Sequence, residues 1–145
     1  MVVAFSRLLH SLSRNFLGAE GAAALAPALV ANGVLTVTNL LYNELDAESA
    51  KMLAEVAKQK GISLCGIQRD QTAADFSNQD LKPPDAILLA SDLSQAGVTG
   101  SLTSLDLSDT QLCGVTRWGS GTYNTEGITA IADALRVNGS LTEVS

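Results

Sequence analysis

The chain has 145 residues, enough for one domain at most. Hydrophobic residues make up 46% and aromatic residues only 4%, so its core is aliphatic and suits thin, closely spaced layers better than an aromatic-filled barrel or sandwich. The net charge of −6 is concentrated in one stretch, where Asp70, Asp75, Asp80, Asp85, Asp92, Asp106 and Asp109 face the single base Lys82; this excludes a nucleic-acid surface, which needs clustered Lys and Arg.

Residues 1–16, MVVAFSRLLHSLSRNF, carry Arg7, Arg14 and several serines but no acid. They read either as an organelle-targeting leader or as a degenerate first strand with Leu12 in register before Asn15. The register favours the strand. The division expected is 1–14 as leader or worn strand, and 15–145 as a repeat array of about four units plus a terminal half unit. No apolar run approaches the roughly 18 residues of a membrane span.

After Asn15-x-Leu17 comes GAEGAAALAPALVANG, a helical run ending at Gly33. Proline inside a helix costs on the order of 3 kcal/mol, so Pro27 predicts a kink or a late start. Three longer segments then align: Leu35-x-x-Thr38-x-Leu40-x-x-Asn43-x-Leu45, Gln71-x-x-Ala74-x-Phe76-x-x-Gln79-x-Leu81, and Leu102-x-x-Leu105-x-Leu107-x-x-Thr110-x-Leu112. Each precedes a helical pattern. AESAKMLAEVAKQKG follows the first, PPDAILLASDLSQAG the second with Pro84 in its first turn, and TEGITAIADALRVNG the third with Thr125 placed to cap it. Gly61, Gly97 and Gly139 stand where left-handed helix ends are expected. The spacings drift, at 28 residues from Asn15 to Asn43, 36 from there to Gln79, and 31 on to Thr110. Leu141-Thr142-Glu143-Val144 begins one more copy.

The segment LTSLDLSDTQL resembles the leucine-rich-repeat template L-x-x-L-x-L-x-x-N-x-L, and the chain from about 15 to 145 resembles the ribonuclease-inhibitor-like class of that family. The resemblance implies an α/β fold: a short right-handed leucine-rich-repeat solenoid with parallel strands on the concave side and helices on the convex side. It also implies that Asn15 and Asn43 bind backbone groups in the turns. Gln79 and Thr110 depart from that pattern, so an imperfect ladder is expected.

With the leucines inward, alternate strand residues point to the concave face. The candidate binding residues there are Asn39, Leu41, Tyr42, Asp75, Ser77, Asn78, Asp106, Ser108 and Asp109, with Val37 beside them. Strands about 4.8 Å apart would set Asn39, Asp75 and Asp106 in one row, an acidic-polar face for a partner's Lys or Arg, or else ordinary solvated filler. A second candidate is the expanded turn CGVTRWGSGTYN, which carries Arg117, Trp118 and Tyr123 among glycines. Aromatics and Arg are enriched at interface hot spots, although Trp118 could equally fold back over the core. The run Gly119-Ser120-Gly121 lacks the Lys of a phosphate loop.

Catalytic groupings are missing. His10 is the only histidine, which leaves Ser–His, Cys–His and zinc arrangements without a base or ligand. Cys65 and Cys113 fit no zinc spacing and read as reduced thiols of a cytoplasmic protein. No metal and no cofactor are expected. The function expected is a non-catalytic protein-binding module or scaffold using the strand face and the 113–124 loop, against a partner with a basic surface. The alternatives are an enzyme regulator of inhibitor or GTPase-activator type, and a structural subunit of a large assembly; separately, an uncovered C-terminal strand edge offers a route to self-association.

Overall fold

The structure, a computed structural model, describes residues 12–145. The reading of the first residues as leader or strand, and the placing of His10, lie outside the described residues. Five helices and three strands follow in the order α1 (Gly18–Ala31), α2 (Ala47–Lys60), β1 (Ala73–Asp75), α3 (Pro83–Leu93), α4 (Ala96–Thr99), β2 (Ser104–Asp106), α5 (Glu126–Val137) and β3 (Glu143–Val144). The fold is α/β. β1, β2 and β3 form a parallel sheet in that order, with Asp75 opposite Asp106 and Leu105 opposite Val144. The long helices pack in chain order, α1 on α2, α2 on α3 and α3 on α5.

Helix ends follow the local chemistry. Asp46 caps α2, accepting from Ser49 N at 2.7 Å, and Gly61 closes it at φ +70°. Two expectations fail at the other ends. Gly97 lies inside the short α4, and Gly139 keeps an ordinary φ. The stop after α5 comes from Asn138, whose Oδ1 accepts from Ser140 N and Leu141 N; Asn32 does the same for Val34 N and Leu35 N after α1. Thr125 makes no side-chain cap either; Asn124 Oδ1 accepts from Glu126 N at 2.7 Å. α1 runs through Pro27 without a late start. Pro27 and Ala23 are both exposed, so the Ala23 carbonyl that loses its helical partner can be solvated.

The buried cluster is aliphatic, with Leu40, Leu53, Ile62, Leu64, Leu81, Leu88, Leu102 and Leu105 all fully enclosed. α3 is buried on nearly every side, being flanked by a helix on each. Small residues make this possible. A Cβ on Gly127 of α5 would lie 2.8 Å from Pro83 Cα and 2.9 Å from Ala86 Cβ.

The aligned segments share a backbone feature. Arg14, Tyr42, Asn78 and Asp109, each just before the Asn-type position, have φ of 62°, 60°, 57° and 55°. Four non-glycine residues in the left-handed region, at equivalent places, mark one repeated turn. Asn43 is its buried anchor. Its Nδ2 donates to Leu12, Leu40 and Leu41 carbonyls, and its Oδ1 accepts from Asn15 N at 2.8 Å. Thr110 keeps only the local part, donating to Leu107 O at 2.7 Å. Gln79 instead accepts from the Tyr42 hydroxyl.

The expected row of Asn39, Asp75 and Asp106 is broken. Asp75 does pair with Asp106, but Asn39 is bridged to Cys65 and Val37 to Ser63. Residues 62–66 pair with residues 36–40, through Thr38 N to Ser63 O at 2.9 Å and Leu40 N to Leu64 O at 2.8 Å. The long 36-residue spacing therefore contains a second pass of chain. Among the described residues, no backbone hydrogen bond joins residues 36–40 to β1.

Candidate functional site

α3 supplies two carboxylates at this joint. Asp92 is fully buried and accepts from Ser63 Oγ at 2.7 Å, Leu64 N at 2.8 Å and Cys65 N at 3.1 Å. Burial pushes its carboxyl up to about 7, against the pull of those donors. Asp85 accepts from Lys82 N and from Tyr42 N, both at 3.0 Å. The amides at the equivalent positions of two other aligned segments bond to backbone carbonyls, Arg14 N to Leu41 O and Asn78 N to Ser108 O. A side chain thus takes the place of the backbone acceptor at Tyr42.

The sequence-predicted residues divide into three groups. Leu41 and Val37, expected on the open face, are 2% and 3% exposed and belong to the interior. Strict alternation fails because the strand ends in the left-handed turn at Tyr42 and is paired to an extra segment whose Leu64 and Ile67 share the core with Leu41. Asn39, Asp75 and Asp106 are spent on their own turns. Asn39 Oδ1 accepts from Leu41 N, Asp75 Oδ1 from Ser77 N and Oγ, and Asp106 Oδ1 from Ser108 N and Oγ. The Ser77 hydroxyl, then its amide, holds Asp75 below the usual carboxylate range. With Asp85 and Asp92 inside, the acidic stretch presents far less charge than its composition suggests.

The third group comes together. Asn78, Asp109, Arg117 and Trp118 line a cleft of about 440 Å³ between two turns and the 115–118 loop. Arg117 reaches Asp109 at 3.5 Å and lies 5.8 Å from the Trp118 ring centre. Trp118 does not fold back, being 85% exposed, and Tyr123 is 70% exposed. The loop is a tight hairpin with a Val115–Gly121 bridge, Thr116 N donating to Ser120 O, and the Thr116 hydroxyl accepting from Trp118 N and Ser120 N. Gly121, at φ +114°, would place a Cβ 2.1 Å from Gly114 O, so this crossing requires glycine.

A neighbouring cleft of about 340 Å³ is lined by Arg14, Phe16, Tyr42, Glu44, Lys82 and Asp85 among others, and shares Asp80 and Gln111 with the first. Arg14 stacks on Tyr42 at 4.3 Å from the ring centre. Burial, then the Asp85 charge, raises the Tyr42 phenol to about 12, so it is a hydroxyl donor at neutral pH. Phe16, 79% exposed, and Asp80 were not found by sequence reading. Their signal is positional, since each directly follows the residue at the Asn-type position of an aligned segment, Asn15 and Gln79.

Another groove of about 440 Å³ runs between α2, α3 and α5. Its floor includes Ala54, Ala90 and Ala134, no aromatic lines it, and the Lys51–Glu126 pair at 3.6 Å links its walls. Cys65 is buried and Cys113 partly exposed, both as free thiols. Among the described residues, no group of three His, Cys, Asp or Glu side chains could hold a metal, and no helix is long and apolar enough to cross a membrane. No protein-family model and no curated protein matches the chain.

Proposed function

We propose that this chain is a short leucine-rich-repeat stack acting as a non-catalytic protein-binding module, with the Trp118 hairpin and adjoining cleft as its contact surface. The recurring left-handed residue before each Asn-type position and the spanning bonds of Asn43 support the repeat reading. The single observation that carries the binding reading is an 85% exposed tryptophan held on a closed hairpin. An aromatic carried on an already closed hairpin needs little backbone ordering on contact and matches the residue types that dominate interface energy. Relative to the expected strand face, the surface moves to the turn side, since Leu41 is interior and Asp75 and Asp106 are engaged locally.

The test is a photo-reactive benzophenone residue at position 118, compared with one at exposed Lys58. Discrete adducts with a particular protein from 118 alone support the module. Identical adducts from both positions, or none from 118, overturn it.

A further inference from the structure

We infer that the paired clefts take an extended basic segment of the partner, with an arginine side chain seated on Asp80. This rests on the binding-module reading and specifies the chemistry of its occupant. The two clefts meet at Asp80 and Gln111. In the first, Glu44 has Lys82 at 3.9 Å and Asp85 is taken up by two amides. In the second, Asp109 has Arg117 at 3.5 Å. Asp80 lines both and, among the described residues, is paired with no cation; its hydrogen bond comes from the neutral Gln111 amide, Nε2 to Oδ1 at 2.8 Å. Counting charged side chains, each cleft has one carboxylate more than it has cations, and in both that excess includes Asp80.

The surroundings fit a guanidinium better than an ammonium. A carboxylate with a free edge takes the planar fork bidentately. The exposed indole of Trp118 offers an apolar face to the side-chain stem and a π face to the charge, and exposed Phe16 does the same across the dividing wall. An extended backbone is required because the clefts succeed one another along a line of turns, and alternate side chains of a strand-like segment point the same way.

Trp118 is the chain's only tryptophan, so tryptophan emission, excited beyond the tyrosine band, reports this site alone. The probes are a short capped peptide with one arginine among glycines and prolines, and the same peptide with citrulline, which keeps the shape and removes the charge. The arginine peptide is expected to change Trp118 emission saturably at millimolar concentration, and citrulline to leave it flat. Asp80→Asn should weaken binding about three- to fivefold, and added salt should weaken it further. No saturable change, an equal response to citrulline, or an Asp80→Asn protein that binds as tightly as the parent each overturns the proposal. Adducts at position 118 alongside a failed peptide titration would remove the arginine seat and leave the binding module standing.

Discussion

The three-stranded sheet and the segment before it solve one problem differently. From β1 to β3, neighbouring segments pair directly, with Asp75 opposite Asp106 and matching Asp–Ser turns. Between residues 36–40 and β1 the direct pairing is absent; a second pass, 62–66, takes one side, and Asp85 and Asp92 of α3 receive Tyr42, Leu64 and Cys65 amides. The contrast shows that the order of helices does not require a continuous strand ladder. Buried amides must be satisfied, and a carboxylate from behind meets that requirement as well as a neighbouring strand does.

Removing the joint's central acceptor is the most damaging way to test this contrast. Asp92→Ala leaves two buried amides and the Ser63 hydroxyl without their acceptor and is expected to cost about 3–5 kcal/mol in urea unfolding. A loss below about 1 kcal/mol would mean that the second pass is held by packing alone. Asn43→Ala comes next, at about 2 kcal/mol, with Thr110→Ala costing about 1, because asparagine bonds across layers and threonine only within its own. Equal losses would erase that distinction.

The joint should also respond to pH with a definite sign. Asp92 sits near 7 in the folded chain and near 3.9 when unfolded, so the folded state binds more protons between those values. Its contribution is fully present below about pH 4 and is lost as the pH rises through about 7. Asp85, also raised by burial, acts in the same direction, whereas exposed Asp75, held low, acts oppositely and at lower pH. Unfolding midpoints across this range should fall less steeply in Asp92→Asn than in the parent. The smallest effect belongs to the surface. Trp118→Ala should change stability by no more than about 0.5 kcal/mol, measured by thermal melting. A large loss of stability would make the indole part of the core.

The legible features were periodic ones. Leu102, Leu105 and Leu107 placed β2, the helical patterns of AESAKMLAEVAKQKG and TEGITAIADALRVNG placed α2 and α5, and the capped Asp46–Gly61 helix follows local rules throughout. The second pass was invisible because Ile62-Ser63-Leu64-Cys65 is too short for a pattern to stand out. What settles it is Asp92, which lies 28 residues from Leu64 in the chain. The same non-local bonding explains the misplacement of Leu41, since strand alternation cannot foresee where a left-handed turn ends it. Arg117 and Trp118 carried a compositional signal and Asn78 and Asp109 a positional one, just beyond the strand segments, whereas Asp80 acquires its meaning only from the cleft around it.

An interrupted ladder has a kinetic signature. In a stack with continuous pairing, opening at one layer loosens the next through shared backbone bonds. Here the amides of Thr38 and Leu40 are bonded to the second pass, and those of Phe76 and Asn78 to the β2 side. Hydrogen exchange should therefore sort into two protection groups that meet at the loop before β1. Asp92→Asn should shift the first group while leaving the second near its original rates.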